Sequence, residues 1–346
     1  MVKVNFKSII KNIKTAQSKL GDGVKVCAVI KYNAFGVAAL TYAKNIEPFV
    51  DMFAVSSIDD AAKARKSGIT KPILLLGVCT DIHKAVHHDI TVTVTSLTCM
   101  QKIQSKVKHG KLNIHIEINT GMNRFGISSP WQLRSIIKIC NANKHLNLCG
   151  MYTHFSHEYN NEIGRSATDL QIKRFLPYRA MFKRLCPNGI VHAARSGTMQ
   201  CRDAQFDMVR IGKAMFGAYE GYKNVASVSA EIVAVQNVKK GDTVGYLNKY
   251  IVPHNMTIGV VNCGYIQAPL LNLGIVKKVI VDKTECDVIG LACTDSFFIN
   301  VSNVNSPLGK RVHIIGDTKN IRVNDYVKSS GITGAKIISG VGPILR

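Results

Sequence analysis

Short apolar runs alternate with amphipathic, helix-like stretches through the first two-thirds of the chain, and this alternation constrains the fold more than any other feature. Eight such runs occur, each followed by a helix pattern or a loop, as a (β/α)8 TIM-type barrel requires. A doubly wound sheet is the alternative, but it rarely needs eight parallel strands in one layer. The candidate strands are residues 24–30, 52–55, 72–76, 90–95, 112–118, 148–153, 189–194 and 206–209.

The alternation of strand and helix patterns ends at about residue 222. After it, β-branched runs dominate, and turns such as Lys240-Gly241-Asp242 separate some of them. A chain of 346 residues is long for one domain, so two domains are expected. We therefore predict a barrel domain over residues 1–222 and a mostly-β C-terminal domain over residues 223–346. The candidate strands of the second domain are residues 228–238, 250–252, 257–262, 276–281, 297–301 and 311–315.

Composition narrows the class of partner. The formal net charge is +23, but the basic residues are spread out, with no long basic run or aromatic platform, so no nucleic-acid partner is expected. Such a charge still attracts anionic small molecules, including phosphates. His83, His87 and His88 lack a well-placed carboxylate, so we interpret them as surface residues and expect no metal site.

The same composition indicates a cytoplasmic protein. No stretch reaches the ~18 apolar residues that span a bilayer, so no membrane partner is expected. The first 20 residues carry charges throughout, without a secretory h-region, and the spacing of Ile9, Ile10 and Ile13 predicts an amphipathic helix. The ten cysteines form no CxxC pair and often lie in apolar runs, which is typical of reduced core residues.

Lys31 lies at the end of the first candidate strand, in the segment VIKYNAFG. An amine at a buried strand end loses solvation, which makes its neutral, nucleophilic form more accessible. A Schiff-base lysine is expected at such a position, and a surface lysine that happens to follow a strand is the alternative. Barrel chemistry lies at the carboxyl ends of the strands. Polar segments follow the later strands there, namely NTGMNRFG (119–126), THFSHE (153–158), ARSGT (194–198) and VRIGKAMFG (209–217).

Taken in order, these segments resemble blocks of the alanine racemase family, whose members are pyridoxal 5′-phosphate (PLP) enzymes of fold type III. VIKYNAFG resembles the family's lysine motif, and NTGMNRFG resembles its Asp-Thr-Gly-Met-x-Arg-x-Gly block. MYTHFSHE, HAARSGT and DMVRIGKAMFG resemble further blocks, and Cys263-Gly264-Tyr265 resembles the segment with the second catalytic base. The resemblance implies a racemase that interconverts L- and D-alanine for peptidoglycan supply.

The resemblance also implies two catalytic bases on opposite faces of the substrate Cα. Lys31 would hold PLP through its amine and move a proton on one face. Tyr265 would serve the other face, supplied by the partner subunit of a homodimer. PLP would act as the electron sink.

Further roles follow from the same resemblance. His154 and Arg210 would form a hydrogen-bonding chain from the tyrosine to the cofactor ring, with Arg210 facing the pyridine nitrogen. Arg124 would hold the substrate carboxylate or orient the cofactor O3′, and Thr294 would contact the substrate. Glu117 stands where the family often has a lysine, and as an anion it could brace Arg124.

The phosphate end departs from the family pattern. Phe35 replaces a tyrosine that binds the phosphate, and no tyrosine occurs at the family's last phosphate contact near the C-terminus. Ser196 and the backbone amides of Gly212 and Lys213 remain as donors. Arg195, which replaces an asparagine, and the Lys213 side chain could add positive charge for the phosphate.

Other functions stay open on the sequence alone. A serine or broad-specificity racemase would use the same bases with an altered pocket. A non-catalytic PLP-binding homologue would need no second base, so the pair of Lys31 and Tyr265 argues against it. A fold type III decarboxylase fits less well, because the cysteine motif of that group is missing and the opening of the β domain is more similar to racemases.

Overall fold

The computed structural model describes residues 2–31 and 39–339. These residues form two compact units, one made of residues 13–31 and 39–215 and the other of residues 2–12 and 216–339. The first residues of the chain therefore group with the second unit, whereas the division predicted from sequence lies at residue 222 alone.

Eight parallel strands close into a barrel in the first unit, which confirms the predicted (β/α)8 fold. The strands are largely buried on both faces, as in the fully buried strand Met52–Val55, and this is why several of them read as continuous apolar runs. The last strand begins two residues later than predicted, because Phe206 has a φ of 47°, which extended backbone does not allow. The barrel strands are β2 Lys25–Val29, β3 Met52–Val55, β4 Ile73–Leu75, β5 Ile90–Val94, β6 Leu112–Ile118, β7 Leu146–Thr153, β8 Ile190–Arg195 and β9 Met208–Ile211.

Helices follow the barrel strands and begin at residues that cap them. Ser57, Ser96 and Ser129 each accept a backbone N–H of the first helical turn that follows them. The α-helices that the described residues form are Phe6–Gln17, Ala39–Ile46, Ile58–Lys66, Ile82–His87, Leu97–Lys106, Pro130–Asn141, Glu162–Leu185, Val323–Ser330 and Gly334–Ser339. The predicted N-terminal amphipathic helix is confirmed, with Ile9 and Ile13 buried. Among the described residues, no helix is both long and apolar enough to cross a membrane.

The second unit is mostly β, as predicted. It contains a seven-stranded antiparallel sheet in the order β1-β10-β13-β16-β15-β14-β17 and a two-stranded sheet of β11 and β12. Three strands were not predicted: β1, which pairs with β10, the two-residue strand β11, which pairs with β12, and the polar strand β15. The strands are β1 Val2–Val4, β10 Ala226–Val238, β11 Thr243–Val244, β12 Tyr250–Ile251, β13 Met256–Val261, β14 Lys278–Val281, β15 Thr284–Ile289, β16 Phe297–Asn300 and β17 Arg311–Ile315.

A buried carboxylate ties together loops of the first unit. Glu47 accepts hydrogen bonds from the backbone N–H of Thr70 at 2.6 Å and of Lys71 at 2.8 Å, and from the Lys44 amine at 2.8 Å. Burial opposes its ionisation, but these hydrogen bonds outweigh burial and lower the pKa of Glu47 to about 2. The charged form is therefore the one that the fold stabilises.

We predict that Glu47→Gln lowers the free energy of unfolding by about 1–3 kcal/mol at pH 7, because charge-assisted hydrogen bonds are lost. A carboxyl with a depressed folded pKa stabilises the fold above its ordinary value of 4.5 and loses that effect as the pH falls toward about 2. Urea unfolding of both proteins at pH 7 and pH 3 should show the gap narrowing. Glu220→Gln, at an exposed pair with Lys328, is the control and should leave the midpoint unchanged. A gap that widens in acid would contradict the assignment.

Candidate active site

The barrel brings most of the predicted site residues of the first unit to one end. Lys31 follows β2, His154 follows β7, and Arg195 and Arg210 lie at the ends of β8 and β9. Parallel strands point their carboxyl ends the same way, so these side chains meet at one mouth. Arg124 joins them from the loop that follows β6.

The local sequence shapes the loop that carries Arg124. The Asn119 side chain accepts the backbone N–H of Gly121 and of Asn123, each at 3.1 Å. Gly126 has a φ of 107°, and a Cβ there would run into the backbone of Asn119, so glycine is required. The backbone of Asn119 then closes the loop by donating to Ile127 at 2.8 Å. These contacts hold Arg124 in a tight turn after β6.

Positive charge and burial dominate the electrostatics of the mouth. Burial lowers the pKa of Lys31, and the nearby charge of Arg124 lowers it further. Burial, followed by the charges of Arg210 and other cations of the mouth, holds the pKa of His154 well below its ordinary value of 6.5. The lysine is thus shifted toward its nucleophilic form, and the imidazole stays neutral.

Arg210 is buried inside the barrel, with 2% of its surface exposed. Its Nη2 donates to the carbonyl oxygens of Thr153 and Ala193, each at 2.9 Å, and its Nη1 donates to Nδ1 of His192. The guanidinium also lies over the Tyr152 ring, 5.0 Å from its centroid. Arg210 is therefore a fixed cation in the floor of the mouth.

Ser196 links the ends of the last two barrel strands. Its hydroxyl oxygen accepts the backbone N–H of Gly212 at 3.0 Å and of Ala214 at 3.2 Å. The Gly212 amide that the sequence suggested as a phosphate donor therefore points at the Ser196 hydroxyl. Because both amides are used, the hydroxyl hydrogen of Ser196 is the donor that this small polar cradle offers beside the strand end.

Arg195 and the Lys213 side chain meet at Glu158. The Lys213 amine pairs with the Glu158 carboxylate, and the Arg195 Nη1 lies 3.8 Å from the same oxygen. Arg195 also donates to the carbonyl oxygen of His157 at 2.8 Å and, more weakly, to that of Phe155 at 3.4 Å. Glu158 was not predicted as their partner, because it lies in a different loop, the one that follows β7.

Tyr265 and Thr294 contact each other within the second unit. The tyrosine hydroxyl lies 3.0 Å from Oγ1 of Thr294, and the Tyr265 amide donates to the carbonyl of Cys293 at 3.0 Å. A Cβ at Gly264 would overlap the backbone of Thr294 and Asp295, so glycine is what allows this close approach. Both predicted residues thus sit on one surface of this unit. Phe35 lies outside the described residues.

Four polar residues in the barrel interior make contacts that were not predicted, namely Glu117, Tyr152, His115 and His192. Glu117 was proposed to brace Arg124, but its carboxylate accepts the Tyr152 hydroxyl at 3.0 Å. His115 and His192 are fully buried and lie 3.0 Å apart. Polar residues at every second position of an apolar strand, such as His115 and Glu117, are the signal that could have revealed them.

The mouth suits an anionic cofactor with an aldehyde. An amine with a lowered pKa offers a nucleophile, and Arg210 offers a buried cation. The Ser196 hydroxyl can donate to a phosphate, and Lys213 and Arg195 together carry one more charge than the Glu158 carboxylate that they meet, which leaves a net positive charge for that group. These features fit PLP.

Comparisons with known proteins agree with this arrangement. Residues 4–220 match the family model described as alanine racemase, N-terminal domain, and residues 225–346 match the alanine racemase C-terminal domain. The alanine racemase of Streptococcus pyogenes serotype M2 is 31% identical, over 94% of this chain and 91% of that protein.

Solved structures agree as well. The Clostridium difficile 630 alanine racemase superposes with a TM-score of 0.86 at 25% identity, covering 98% of this chain and 92% of that one. The Bacillus anthracis alanine racemase, solved with bound L-Ala-P, has a TM-score of 0.85 at 26% identity over the same shares. With two family models that together span nearly its whole length, the chain belongs to the alanine racemase family and is an isomerase of that family.

Proposed function

We propose that this protein is a PLP-dependent racemase that interconverts L- and D-alanine with two bases, Lys31 and Tyr265. The observation that carries the proposal is Lys31 itself, a half-buried lysine at a barrel strand end whose pKa is lowered by burial and by Arg124. Family membership and the L-Ala-P bound to the Bacillus anthracis relative support alanine as the substrate.

The residues of the mouth would hold PLP by its two ends. Lys31 would bind the cofactor through its amine, and Arg210, which has N–H groups unused by the part of the chain that the structure describes, would face the pyridine nitrogen. The hydroxyl of Ser196 and the amides of Gly212 and Lys213 would bind the phosphate, after the Ser196–Gly212 hydrogen bond rearranges. When bound, PLP would stabilise the negative charge that develops at the substrate Cα.

The protein residues would then carry the proton. Lys31 would hold or donate the proton on one face of Cα, and Tyr265, from the partner subunit of a homodimer, would do so on the other. Arg124 would bind the substrate carboxylate, and Thr294 would contact the substrate and orient the tyrosine hydroxyl that it already touches. His154, kept neutral by its surroundings, would form the hydrogen-bonded link between the tyrosine and Arg210.

Several broader expectations accompany the proposal. The predicted division into a barrel domain over residues 1–222 and a β-rich domain over residues 223–346 is supported by family models that end at residue 220 and begin at residue 225. A homodimer, a cytoplasmic location and a role in D-alanine supply for peptidoglycan follow from the family and stay predictions.

Two measurements on the purified protein test the proposal. PLP added to apoprotein should produce the absorbance band of a lysine-bound cofactor, and the loaded protein should abolish the optical rotation of L-alanine solutions. L-Serine, assayed in parallel, should be racemised more slowly. A protein that binds PLP yet leaves L-alanine optically active would be a binding homologue, and faster loss of rotation with L-serine would change the substrate.

Arg195 is predicted to contribute to the phosphate end despite its contacts with the loop. Arg195→Asn should weaken PLP binding to the apoprotein about tenfold, ~1.4 kcal/mol, because one cation beside the phosphate is lost. The matched control is Arg65, which also donates to loop carbonyls, those of Ile69 at 2.7 Å and His88 at 3.0 Å, at the opposite end of the barrel. Arg65→Asn should leave PLP affinity unchanged. Unchanged affinity in Arg195→Asn would assign that arginine to loop support alone.

A further inference from the structure

The hydrogen bonds of Arg210 leave part of its guanidinium available. An arginine has five N–H donors and no acceptor. The carbonyls of Thr153 and Ala193 and the Nδ1 of His192 use three of these donors, so two have no partner within residues 2–31 and 39–339. Because the guanidinium is planar and rigid, the contacts that hold these three N–H groups also set the direction of the other two.

The contact between Arg210 and His192 determines the protonation of the imidazole. Because arginine only donates, Nδ1 of His192 must accept, and the ring is neutral with its hydrogen on Nε2. Burial, followed by the charge of Arg210, also holds the pKa of His192 well below 6.5. His192 therefore presents an N–H on the side away from Arg210.

That N–H continues the chain to His115. Nε2 of His192 lies 3.0 Å from Nδ1 of His115, so His115 accepts at Nδ1 and carries its own hydrogen on Nε2. Burial, followed by the charge of Arg210, lowers the pKa of His115 to about 3, which keeps this ring neutral too. Its Nε2 is buried and has no hydrogen-bond partner among the described residues. A buried, unpaired N–H destabilises a fold, so the favourable polar contact of this ring is the one that its Nδ1 makes with His192.

The surroundings hold both rings in place. A Cβ at Gly150 would overlap the ring of His115, so only glycine admits it. The Tyr152 ring stacks on His192, with centroids 4.8 Å apart and planes 14° from parallel, and its hydroxyl is anchored on Glu117 at 3.0 Å. The histidine pair is therefore constrained on several sides.

We propose that His115 is a positioning residue: through the neutral chain His115–His192–Arg210, which Gly150 makes room for, it directs the remaining donors of Arg210 toward the cofactor site. This role rests on the proposed function, since it assumes that Arg210 faces the PLP ring. The chain of hydrogen bonds itself is a property of the protein without cofactor.

The protonation pattern can be measured in apoprotein labelled with 15N-histidine. NMR should show His115 and His192 both neutral, both with hydrogen on Nε2, at pH 6 to 8. A charged ring, or hydrogen on Nδ1 of His192, would overturn the proposal. This outcome does not depend on PLP binding or turnover.

Two variants of similar size test whether the side chain at position 115 acts as a hydrogen-bond acceptor or only fills space. His115→Asn keeps an oxygen near the place of Nδ1, whereas His115→Leu removes the acceptor. PLP affinity should fall about tenfold in the leucine variant and stay within about twofold of the wild type in the asparagine variant. Equal weakening in both would overturn the acceptor role. If wild-type apoprotein binds no PLP, that result contradicts the proposed function. The NMR measurement still tests the hydrogen bonds from His115 through His192 to Arg210.

Gly150 offers an independent check. Gly150→Ala should displace the His115 ring and weaken PLP binding about tenfold in the wild-type background. In a His115→Ala background, the same change should have almost no further effect, because the ring is gone. Equal weakening in both backgrounds would show that the effect does not pass through His115.

Discussion

Lys31→Ala should abolish the absorbance band of lysine-bound PLP and reduce alanine racemisation by about a thousandfold or more. The variant loses both the amine that anchors the cofactor and one of the two proton carriers, and general acid–base groups alone contribute about 10²–10⁴-fold. Its position explains the size of the effect, since burial and the charge of Arg124 already favour the neutral amine. Absorbance and polarimetry of the variant after PLP addition measure both losses.

Borohydride reduction and peptide mapping locate the attachment directly. The wild-type protein should carry the cofactor on the peptide that contains Lys31. Lys25→Ala is the matched control, because Lys25 is exposed at the opposite end of the same strand, and it should keep both band and activity. A label on another lysine, or an active Lys31→Ala protein, would refute the assignment.

Tyr265→Phe should slow racemisation by about 10²–10⁴-fold and leave PLP bound. Only the hydroxyl is removed, and its contact in the structure is with Thr294 at 3.0 Å, a residue that is not assigned to cofactor binding. Exchange of the α-proton with deuterium from solvent should persist for one alanine enantiomer, whose face Lys31 serves. Equal loss of exchange for both enantiomers would indicate that Tyr265 is structural or that another residue is the second base.

Two further proteins complete that test. Tyr246→Phe is the control, since this tyrosine is 62% exposed in the same unit, and it should be fully active. Mixing Lys31→Ala and Tyr265→Phe proteins should restore part of the activity, because hybrid dimers would contain one intact site. No recovery after demonstrated subunit exchange would contradict a shared site.

The barrel could be predicted because local patterns determine it, whereas long-range pairing could not. Apolar runs buried on both faces mark parallel strands, as at Met52–Val55. Strand Val2–Val4 escaped prediction because it is short and pairs with Ala226–Val228, more than 200 residues away. Strand Thr284–Ile289 escaped because its polar residues hide the β pattern.

The candidate site likewise has features that the local sequence predicts and contacts that it does not. The order of Lys31, His154 and Arg210 along the strands predicts that they share one end of the barrel, and they do. The partners of these groups depend on register between distant strands and on loop shape. That is why the pairing of Arg195 and Lys213 with Glu158, and the contact between His115 and His192, could be found only in three dimensions.

The stereochemical fate of the α-proton tests the two-base racemase most directly. Wild-type protein loaded with PLP would be given L-alanine in D₂O, and the D-alanine formed in the first few per cent of reaction would be isolated and its Cα examined by proton NMR. Two bases on opposite faces predict D-alanine that carries deuterium at Cα, because the proton added comes from a group that exchanges with solvent. D-Alanine that retains the original proton, or no D-alanine from protein that has bound PLP, would contradict the mechanism.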